Sequence, residues 1–397
     1  MVPMVDLVGK LRSMAMTMVS LSLAVAAFAV PVAAADKEQP AVTQGELAMR
    51  LVKELGLEKG LPAEPKPSDY QTILGGRRQY RFEAEDVYDA EGDSVSVKNY
   101  PLYGPFSGRG WVSGLAVATT VKFTVFLPRD GEYQLKVSSR GDGQIWQAGG
   151  RELPVSTGGA FREAVAGRIP LKAGTQIITV QLPPEGGVDW FALAADDLPP
   201  VEPLAGWRPD APLTWGEMAE VFAALLGAER KLPMDKGVGS RTIAAHGVAR
   251  LPVGAAVTTA TFLGPFTPPQ WVRAGAGGAV IEVPLVLDAT GVYDLRVRLL
   301  GEPVIMDLDG RRFERPGKPF LAWYDLGTMR LREGRHLLKL VLPPMGGVDV
   351  VEIVKRKSSP ADFLAVVGLT GNPQAPVSRA EFENTLNGML SRLRGGN

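Results

Sequence analysis

The sequence contains no cysteine and only two histidines, His246 and His336, among its 397 residues. The lack of cysteine excludes disulfide bonds, thiol chemistry and a lipid-modified N-terminal cysteine. Packed cores or bound metals must therefore stabilise the fold. Two histidines so far apart in the sequence also argue against a histidine-rich transition-metal site.

An excess of charge is also missing, because 43 basic residues are balanced by 43 acidic residues. A balanced chain argues against a nucleic-acid partner and against electrostatic attraction to a membrane surface. The motifs of a nucleophile elbow, a phosphate loop, a dinucleotide-binding turn and a zinc protease are absent from the sequence. We therefore predict that the protein is not an enzyme.

A long apolar run occurs only near the start of the chain. Lys10 and Arg12 precede it, and Ala33, Ala34 and Ala35 follow it. This layout is typical of a secretory signal peptide and predicts export to the periplasm, the cell surface or the medium. The alternative is an uncleaved membrane anchor, since the run is long enough to span a bilayer. After cleavage, no transmembrane segment is expected.

The chain carries an internal repeat with a separation of 160 positions. "LPPEGGVD" begins at Leu182 and "LPPMGGVD" begins at Leu342. "GPFSGRGWV" and "GPFTPPQWV" recur at the same separation, and so do "GEYQLKV" and "GVYDLRV". Several matches in one register indicate a duplicated folding unit.

The repeated unit has the pattern of a β-sheet. Short alternating or continuous apolar runs are separated by turns that contain glycine or proline. In the "LPPxGGVD" turn, Pro-Pro is expected to end one strand and Gly-Gly to supply positive φ angles. The fold class we predict is mainly β with α: two tandem antiparallel β-sandwich (jelly-roll) domains plus short amphipathic helical motifs.

A second repeat lies outside the predicted strands. "VTQGELAMRLVKELGLEKGLP" from Val42 matches "LTWGEMAEVFAALLGAERKLP" from Leu213, and "VSRAEFENTLNGMLSRL" from Val377 is a weaker third copy. Each starts with Ser or Thr followed three residues later by Glu, the pattern of a helical capping box. Apolar residues at helical spacing follow, so each motif predicts a helix with one buried face.

Six segments follow from these patterns: a signal peptide (1–35), a helical motif (36–67), a sandwich (68–197), a linker with the second helical motif (198–237), a second sandwich (238–357) and a C-terminal helical motif (358–397). We expect the three helical motifs to form one bundle. The alternative is that each helix covers its own sandwich.

The first sandwich opens with "RFEAEDV" from Arg81 and closes with "GGVDWFALA" from Gly186. It resembles carbohydrate-binding modules of families six and thirty-five over about residues 78–195, and the second sandwich resembles them less well over 240–355. The resemblance implies a galactose-binding-like jelly roll with a structural Ca²⁺ held by Glu83, Glu85 and Asp189. Carboxylate oxygens suit this ion, and strand alternation would place both glutamates on one face. The alternative is that they are solvated edge charges.

The second sandwich keeps Asp349 but lacks Glu-Ala-Glu, so a calcium site is not expected there. The resemblance also implies that exposed aromatic rings stack on sugars. The candidates are Tyr103, Phe106, Trp111 and Phe161 in the first sandwich, and Phe266, Trp271, Trp323 and Tyr324 in the second. Because both units share Trp111 and Trp271, these two could instead be core residues. We predict a polysaccharide or cell-wall glycan as the partner.

The helical motifs resemble S-layer homology motifs, which open with a Thr-Arg-Ala-Glu-like tetrapeptide. Only the third motif has the arginine, in Ser378-Arg379-Ala380-Glu381. By this resemblance Arg379 is the candidate contact to wall polysaccharide. The alternative function is a structural or assembly protein of the cell envelope or S-layer that binds other envelope proteins.

Overall fold

The computed structural model describes residues 41–90, 95–235, 237, 240–248 and 250–395. The predicted signal peptide lies outside these residues. The mainly β fold class is confirmed: four antiparallel sheets form two sandwiches, and short helices form a separate core. The helices are α1 (Gln44–Glu54), α2 (Pro67–Gly75), α3 (Ala84–Val87), α4 (Trp215–Leu225), α5 (Ala245–Val248), α6 (Pro360–Val367) and α7 (Arg379–Gly395).

The first sandwich consists of two facing antiparallel sheets. Its strands are β1 (Gln79–Glu83), β2 (Ser96–Lys98), β3 (Trp111–Ser113), β4 (Thr119–Leu127), β5 (Gly131–Arg140), β6 (Gln144–Ala148), β7 (Arg151–Val155), β8 (Arg162–Leu171), β9 (Gly174–Leu182) and β10 (Gly187–Ala194). One sheet has the order β2-β3-β10-β5-β8, with β1 also paired to β10, and the other has the order β4-β9-β6-β7.

The second sandwich repeats this arrangement. Its strands are β11 (Ser240–Ala244), β12 (Ala255–Thr258), β13 (Trp271–Ala274), β14 (Ala279–Leu287), β15 (Gly291–Gly301), β16 (Val304–Leu308), β17 (Arg311–Arg315), β18 (Lys318–Leu331), β19 (Gly334–Leu342) and β20 (Gly347–Lys355). The orders are β12-β13-β20-β15-β18, with β11 on β20, and β14-β19-β16-β17. Val188 pairs with Val112, and Val348 pairs with Val272, so the repeated turns enter corresponding strands.

Alternation of side chains builds each sandwich core. In β4, Val121, Phe123, Val125 and Leu127 are buried, while the residues between them face outward. Such alternation leaves one face of the strand for the facing sheet. Burial of each such side chain contributes about 1.5–3 kcal/mol to the free energy of folding. Each sandwich has its own apolar core built in this way.

The glycines of the repeated turn have a different role from the one predicted. The positive φ angles belong to Glu185 (55°) and Met345 (62°), not to the glycine pairs. Glycine is required instead for close packing: a Cβ atom on Gly187 would lie 2.8 Å from the Trp111 ring, and one on Gly347 would lie 2.3 Å from the Trp271 ring. The turn and the tryptophan are therefore repeated together because they pack against each other.

The helices pack into one shared core. Leu47 and Leu51 of α1, Phe222 of α4, Phe363 of α6 and Leu386 of α7 belong to a single buried cluster. The three helical motifs are thus assembled together, and α2 adds Ile73 and Leu74 beyond the predicted domain boundary at residue 68. No helix among the described residues is long and apolar enough to cross a membrane.

The predicted capping boxes are confirmed, and they face one another around this core. Thr43 with Glu46, Thr214 with Glu217 and Ser378 with Glu381 exchange the expected hydrogen bonds. The chain before each following motif also bonds to the preceding helix start: Gly45 N donates to Pro209 O, and Gly216 N donates to Pro373 O. Arg379 of the third motif donates to Glu46 Oε1 of the first at 2.9 Å. The motifs therefore contact one another in a closed order.

Candidate functional site

The loop between β2 and β3 (residues 99–110) carries aromatic side chains at one end of the first sandwich. Its anchor is Trp111, which is only 1% exposed and donates through Nε1 to Tyr100 O at 3.4 Å. The rings of Tyr100, Tyr103 and Phe161 lie edge-on to this tryptophan, with centroids 5.7, 5.9 and 5.2 Å away. Edge-to-face packing of this kind fixes the ring orientations.

Arg140, at the end of β5, completes this aromatic cluster. Its guanidinium carbon lies 3.4 Å from the centroid of the Tyr103 ring, and its Nε donates to Gly159 O at 3.2 Å. Within the described residues, no carboxylate forms an ion pair with Arg140. Arg140 is buried, at 9% exposed, so its guanidinium chiefly holds the Tyr103 ring, and its remaining donors could bond only a hydroxyl or carboxylate that enters the cluster.

Exposure decides which rings could contact a ligand. Tyr100 is 41% exposed, and Tyr103 and Phe161 are half-buried, whereas Trp111 is buried beneath them. Trp111 thus supports the cluster from below, and Tyr100, Tyr103 and Phe161 present the accessible aromatic surface. Apolar faces next to a few fixed polar donors are the usual composition of a small-molecule site.

The second half of the same loop is bound to three carboxylates. Ser107 N donates to Asp189 Oδ1 at 2.9 Å, and its hydroxyl donates to Glu83 Oε2 at 2.6 Å. Arg109 N donates to Glu85 Oε1 at 2.6 Å. The three acidic residues named from the sequence therefore converge on one loop, and they fix the segment that carries the rings.

The prediction that Glu83 and Glu85 lie on one face of a single strand is wrong. Strand β1 ends at Glu83, and Glu85 lies in the single helical turn α3. Alternation does not operate across this change of conformation. The helical turn directs Glu85 to the loop amides instead, and Glu85 is buried there.

The carboxylate cluster is short of positive charge. Burial raises the pKa of Asp189, and the hydrogen bonds from Ser107 and Ser138 only partly oppose this shift. The Oε2 atom of Glu85 is buried without a hydrogen-bond partner. Arg81 forms the one ion pair in the cluster, 3.0 Å from Glu83, among the described residues. Buried oxygens of this kind are stabilised by a cation.

The type of donor atom in this cluster, carboxylate oxygen, is the type that a hard cation prefers. Glu83, Glu85 and Asp189 supply carboxylate oxygens, and Ca²⁺ prefers six to eight oxygen ligands. In the described part of the chain, no three acidic or histidine residues are close enough to form a metal site by themselves. Glu83, Glu85 and Asp189 would therefore have to move closer together to share one ion, and backbone or water oxygens would have to complete its shell. The orphaned Glu85 Oε2 is the observation that favours such an ion.

The second sandwich has a different loop end. Trp271 Nε1 donates to Ala260 O, as Trp111 does to Tyr100 O. The positions that correspond to Tyr100, Tyr103, Phe161 and Arg140 at the 160-residue separation are Ala260, Leu263, Leu321 and Leu300. These residues form a small apolar cluster around the buried Trp271, and Phe266 packs against it. The two tyrosines, Phe161 and the arginine thus have no counterparts at these four positions, and the exposed aromatic side chains nearby are Phe262 (80%) and Phe320 (47%) instead.

The acidic cluster is also replaced in the second sandwich. Ile243 and Ala245 occupy the positions of Glu83 and Glu85, and both are buried. Asp349 remains and accepts from Thr267 N at 3.0 Å, but Arg298 stands where the first sandwich has Ser138 and donates from Nε at 2.6 Å. A guanidinium therefore neutralises the one remaining carboxylate.

The other predicted site residues lie apart from the aromatic cluster. Trp323 is 39% exposed on β18, and Arg296 covers its ring at 4.4 Å from the centroid. Tyr324 points the opposite way and belongs to the core of the second sandwich. Phe106 is half-buried. Arg379 forms its ion pair with Glu46 inside the helical assembly.

Two residues of the cluster were not named from the sequence. Tyr100 lies three positions before Tyr103, and this spacing in an aromatic segment could have indicated it. Arg140 ends a strand and follows two serines. Nothing local in its sequence separates it from an ordinary surface arginine.

No protein-family model and no curated protein matches the chain. Similar solved structures include a family 35 carbohydrate-binding module from Clostridium thermocellum, at 17% identity and a TM-score of 0.23, covering 29% of this chain and 97% of that chain. A CBM35 from Paenibacillus barcinonensis has 16% identity and a TM-score of 0.24, covering 30% and 99%. A GH26-CBM35 β-(1,4)-mannanase from Podospora anserina has 16% identity and a TM-score of 0.26, covering 40% and 36%. The chain thus spans about a third of that mannanase's length.

Proposed function

We propose that the protein is an exported, non-catalytic carbohydrate-binding protein that binds polysaccharide at the loop end of its first sandwich. The observation that carries this proposal is the difference between two sandwiches of the same strand order. One has Tyr100, Tyr103, Phe161 and Arg140 around its buried tryptophan, and the other has four aliphatic residues at those positions. The structural role of the tryptophan needs none of these four side chains.

The chemistry of the cluster suits a sugar ring. Sugars offer apolar C–H faces and a rim of hydroxyl groups, and Tyr100 and Phe161 offer exposed aromatic surface. The tyrosine hydroxyls supply donors at the edge of that surface, and the buried Arg140 holds the Tyr103 ring. Stacking would give affinity, and the hydrogen bonds would give orientation.

We further propose a structural Ca²⁺ held by Glu83, Glu85 and Asp189. The ion would neutralise carboxylates that the chain leaves almost without cations. It would act on binding indirectly, because the loop bonded to these carboxylates through Ser107 and Arg109 also carries Tyr100 and Tyr103. The segment at the start of the chain, with the layout of a signal peptide, supports export.

The first test is a glycan array probed with the protein lacking residues 1–35, in calcium and in chelator. We expect binding to one class of polysaccharide, with a weaker signal in chelator because the loop loses part of its support. An array without any signal in calcium would contradict carbohydrate binding. An equal signal in both conditions would remove calcium from the site while leaving the glycan proposal standing.

A further inference from the structure

A cavity of about 830 Å³ lies far from the aromatic loop in sequence, where three parts of the chain meet. Its walls come from the linker at Pro199 and Pro200, from the end of the second helical motif, and from the second sandwich at Leu308 and Met329. Sites for small molecules commonly have volumes of about 300–1,000 Å³. The cavity is therefore large enough to hold a ligand of sugar size.

Most of the charges that line this cavity are already paired. Arg330 donates to Glu229 and to the backbone oxygens of Glu202 and Glu220. Arg332 lies 3.1 Å from Glu202 Oε1, and His336 bonds to Asp309. These groups shape the wall, but their charges are satisfied by the protein itself.

Arg311, Arg230 and Asp197 are the exceptions: Asp197 accepts from Arg78 N at 2.7 Å, but in the described part of the chain it forms no ion pair. The side chains of Arg311 and Arg230 both line the cavity and form no hydrogen bond or ion pair within the described residues, and Arg230 is exposed to solvent. Arg311 is half-buried, and burial lowers the pKa of its guanidinium. Its guanidinium carbon lies 5.1 Å from the centroid of the Phe313 ring. A guanidinium held out of water without an acceptor favours binding of an anion.

In the first sandwich, the arginine that corresponds to Arg311 has an acidic partner. Arg151 begins β7 as Arg311 begins β17, and Arg151 is paired with Glu132 at 3.1 Å. The counterpart of Glu132 on β15 is Val292, which is buried in the helical core. The second sandwich thus has an apolar contact to the helices where the first has Glu132, and Arg311 has no acid at that position.

We propose that this cavity binds a small anionic ligand whose carboxylate or phosphate contacts Arg311 and Arg230. The planar guanidinium of Arg311 can donate two parallel hydrogen bonds to either group. The apolar side chains of Leu308 and Met329 would contact the uncharged part of the ligand. This site is separate from the proposed glycan site and does not depend on it.

The test is calorimetric titration of the full chain with glucuronate, glucose 1-phosphate and inorganic phosphate, with glucose as the neutral comparison. We expect saturable binding of at least one anion at about millimolar concentration or below. Preference for glucuronate would identify a carboxylate ligand, and preference for either phosphate compound a phosphate ligand. No saturable binding of any anion up to about 10 mM, or equal binding of glucose that persists in Tyr103→Ala, would overturn the proposal.

Variants locate the site. Arg311→Gln is expected to weaken anion binding about tenfold or more, whereas the matched Arg151→Gln leaves it unchanged. Arg311→Gln removes a cation without a partner, so its melting temperature is expected to stay within a few degrees of the parent value. An unchanged affinity in folded Arg311→Gln would contradict the assignment. Tyr103→Ala is expected to leave anion binding intact, which separates this site from the glycan site.

Discussion

Replacing Asp349 by Asn is expected to lower the free energy of unfolding of the second sandwich by about 3–5 kcal/mol, with or without calcium. Asp349 is fully buried and is the ion-pair partner of Arg298, whose side chain is only 14% exposed. The asparagine can still accept from Thr267 N, but it leaves the guanidinium buried without a counter-charge. Removing one member of a buried pair is costly for this reason.

Chemical denaturation monitored by tryptophan fluorescence measures this loss, since Trp271 lies in the same sandwich. Arg298→Ser is a useful companion, because it recreates the residue found at Ser138 of the first sandwich. It leaves Asp349 without its cation, so a loss of similar size is expected. A loss below about 1 kcal/mol in both variants would show that the pair behaves as an exposed one.

Replacing Asp189 by Asn in the first sandwich is expected to have effects of opposite sign in the two calcium conditions. Without calcium, the raised folded-state pKa of Asp189 means that the ionised carboxylate opposes folding at neutral pH. The stabilising contribution of the carboxyl is present below its unfolded-state pKa and is lost as the pH rises through the folded-state pKa. The neutral asparagine is therefore expected to be at least as stable as the parent at pH 7 without metal.

With calcium at about one hundred times its dissociation constant, the parent protein is expected to gain about 2.7 kcal/mol. Asp189→Asn loses a carboxylate ligand and is expected to lose most of that gain. Thermal melts of both proteins in calcium and in chelator give the comparison, with Asp349→Asn as the matched control, whose loss relative to the parent is expected to be the same in both conditions. A calcium-independent melting temperature for the parent would exclude the ion.

The repeated sandwich and the capping boxes could be predicted because their signals are local. Strand alternation, the Thr43 and Thr214 capping boxes, and the two copies of "LPPxGGVD" each lie within a short segment. The burial of Trp111 and Trp271 was one of two open alternatives, and the close approach of Gly187 and Gly347 explains it. Glycine is needed there because of a tryptophan ring more than 70 residues away in the sequence. The turn pattern by itself does not show this contact, and it led to the incorrect prediction that the glycines adopt positive φ angles.

The site could be predicted only in part, because its contacts join distant segments. Glu83, Glu85 and Asp189 were named together, but their partner Ser107 was not. The substitution of Arg298 for Ser138 explains why the second sandwich keeps Asp349 after losing both glutamates. It occurs in the middle of a strand, where serine and arginine are both ordinary. The unpaired Arg311 could not be recognised from the sequence either. The acid that pairs with Arg151 in the first sandwich corresponds to Val292, which lies in a different strand from Arg311.

The most direct test of the central claim is a titration of the parent protein and two matched variants with the best polysaccharide from the array. Tyr103→Ala removes the ring that lies against Arg140 in the first sandwich, and Leu263→Ala makes the equivalent change in the second. We expect Tyr103→Ala to weaken binding about tenfold or more and Leu263→Ala to leave it unchanged. Equal affinities for all three proteins, with Tyr103→Ala folded, would contradict the placement of the glycan site at the loop end of the first sandwich.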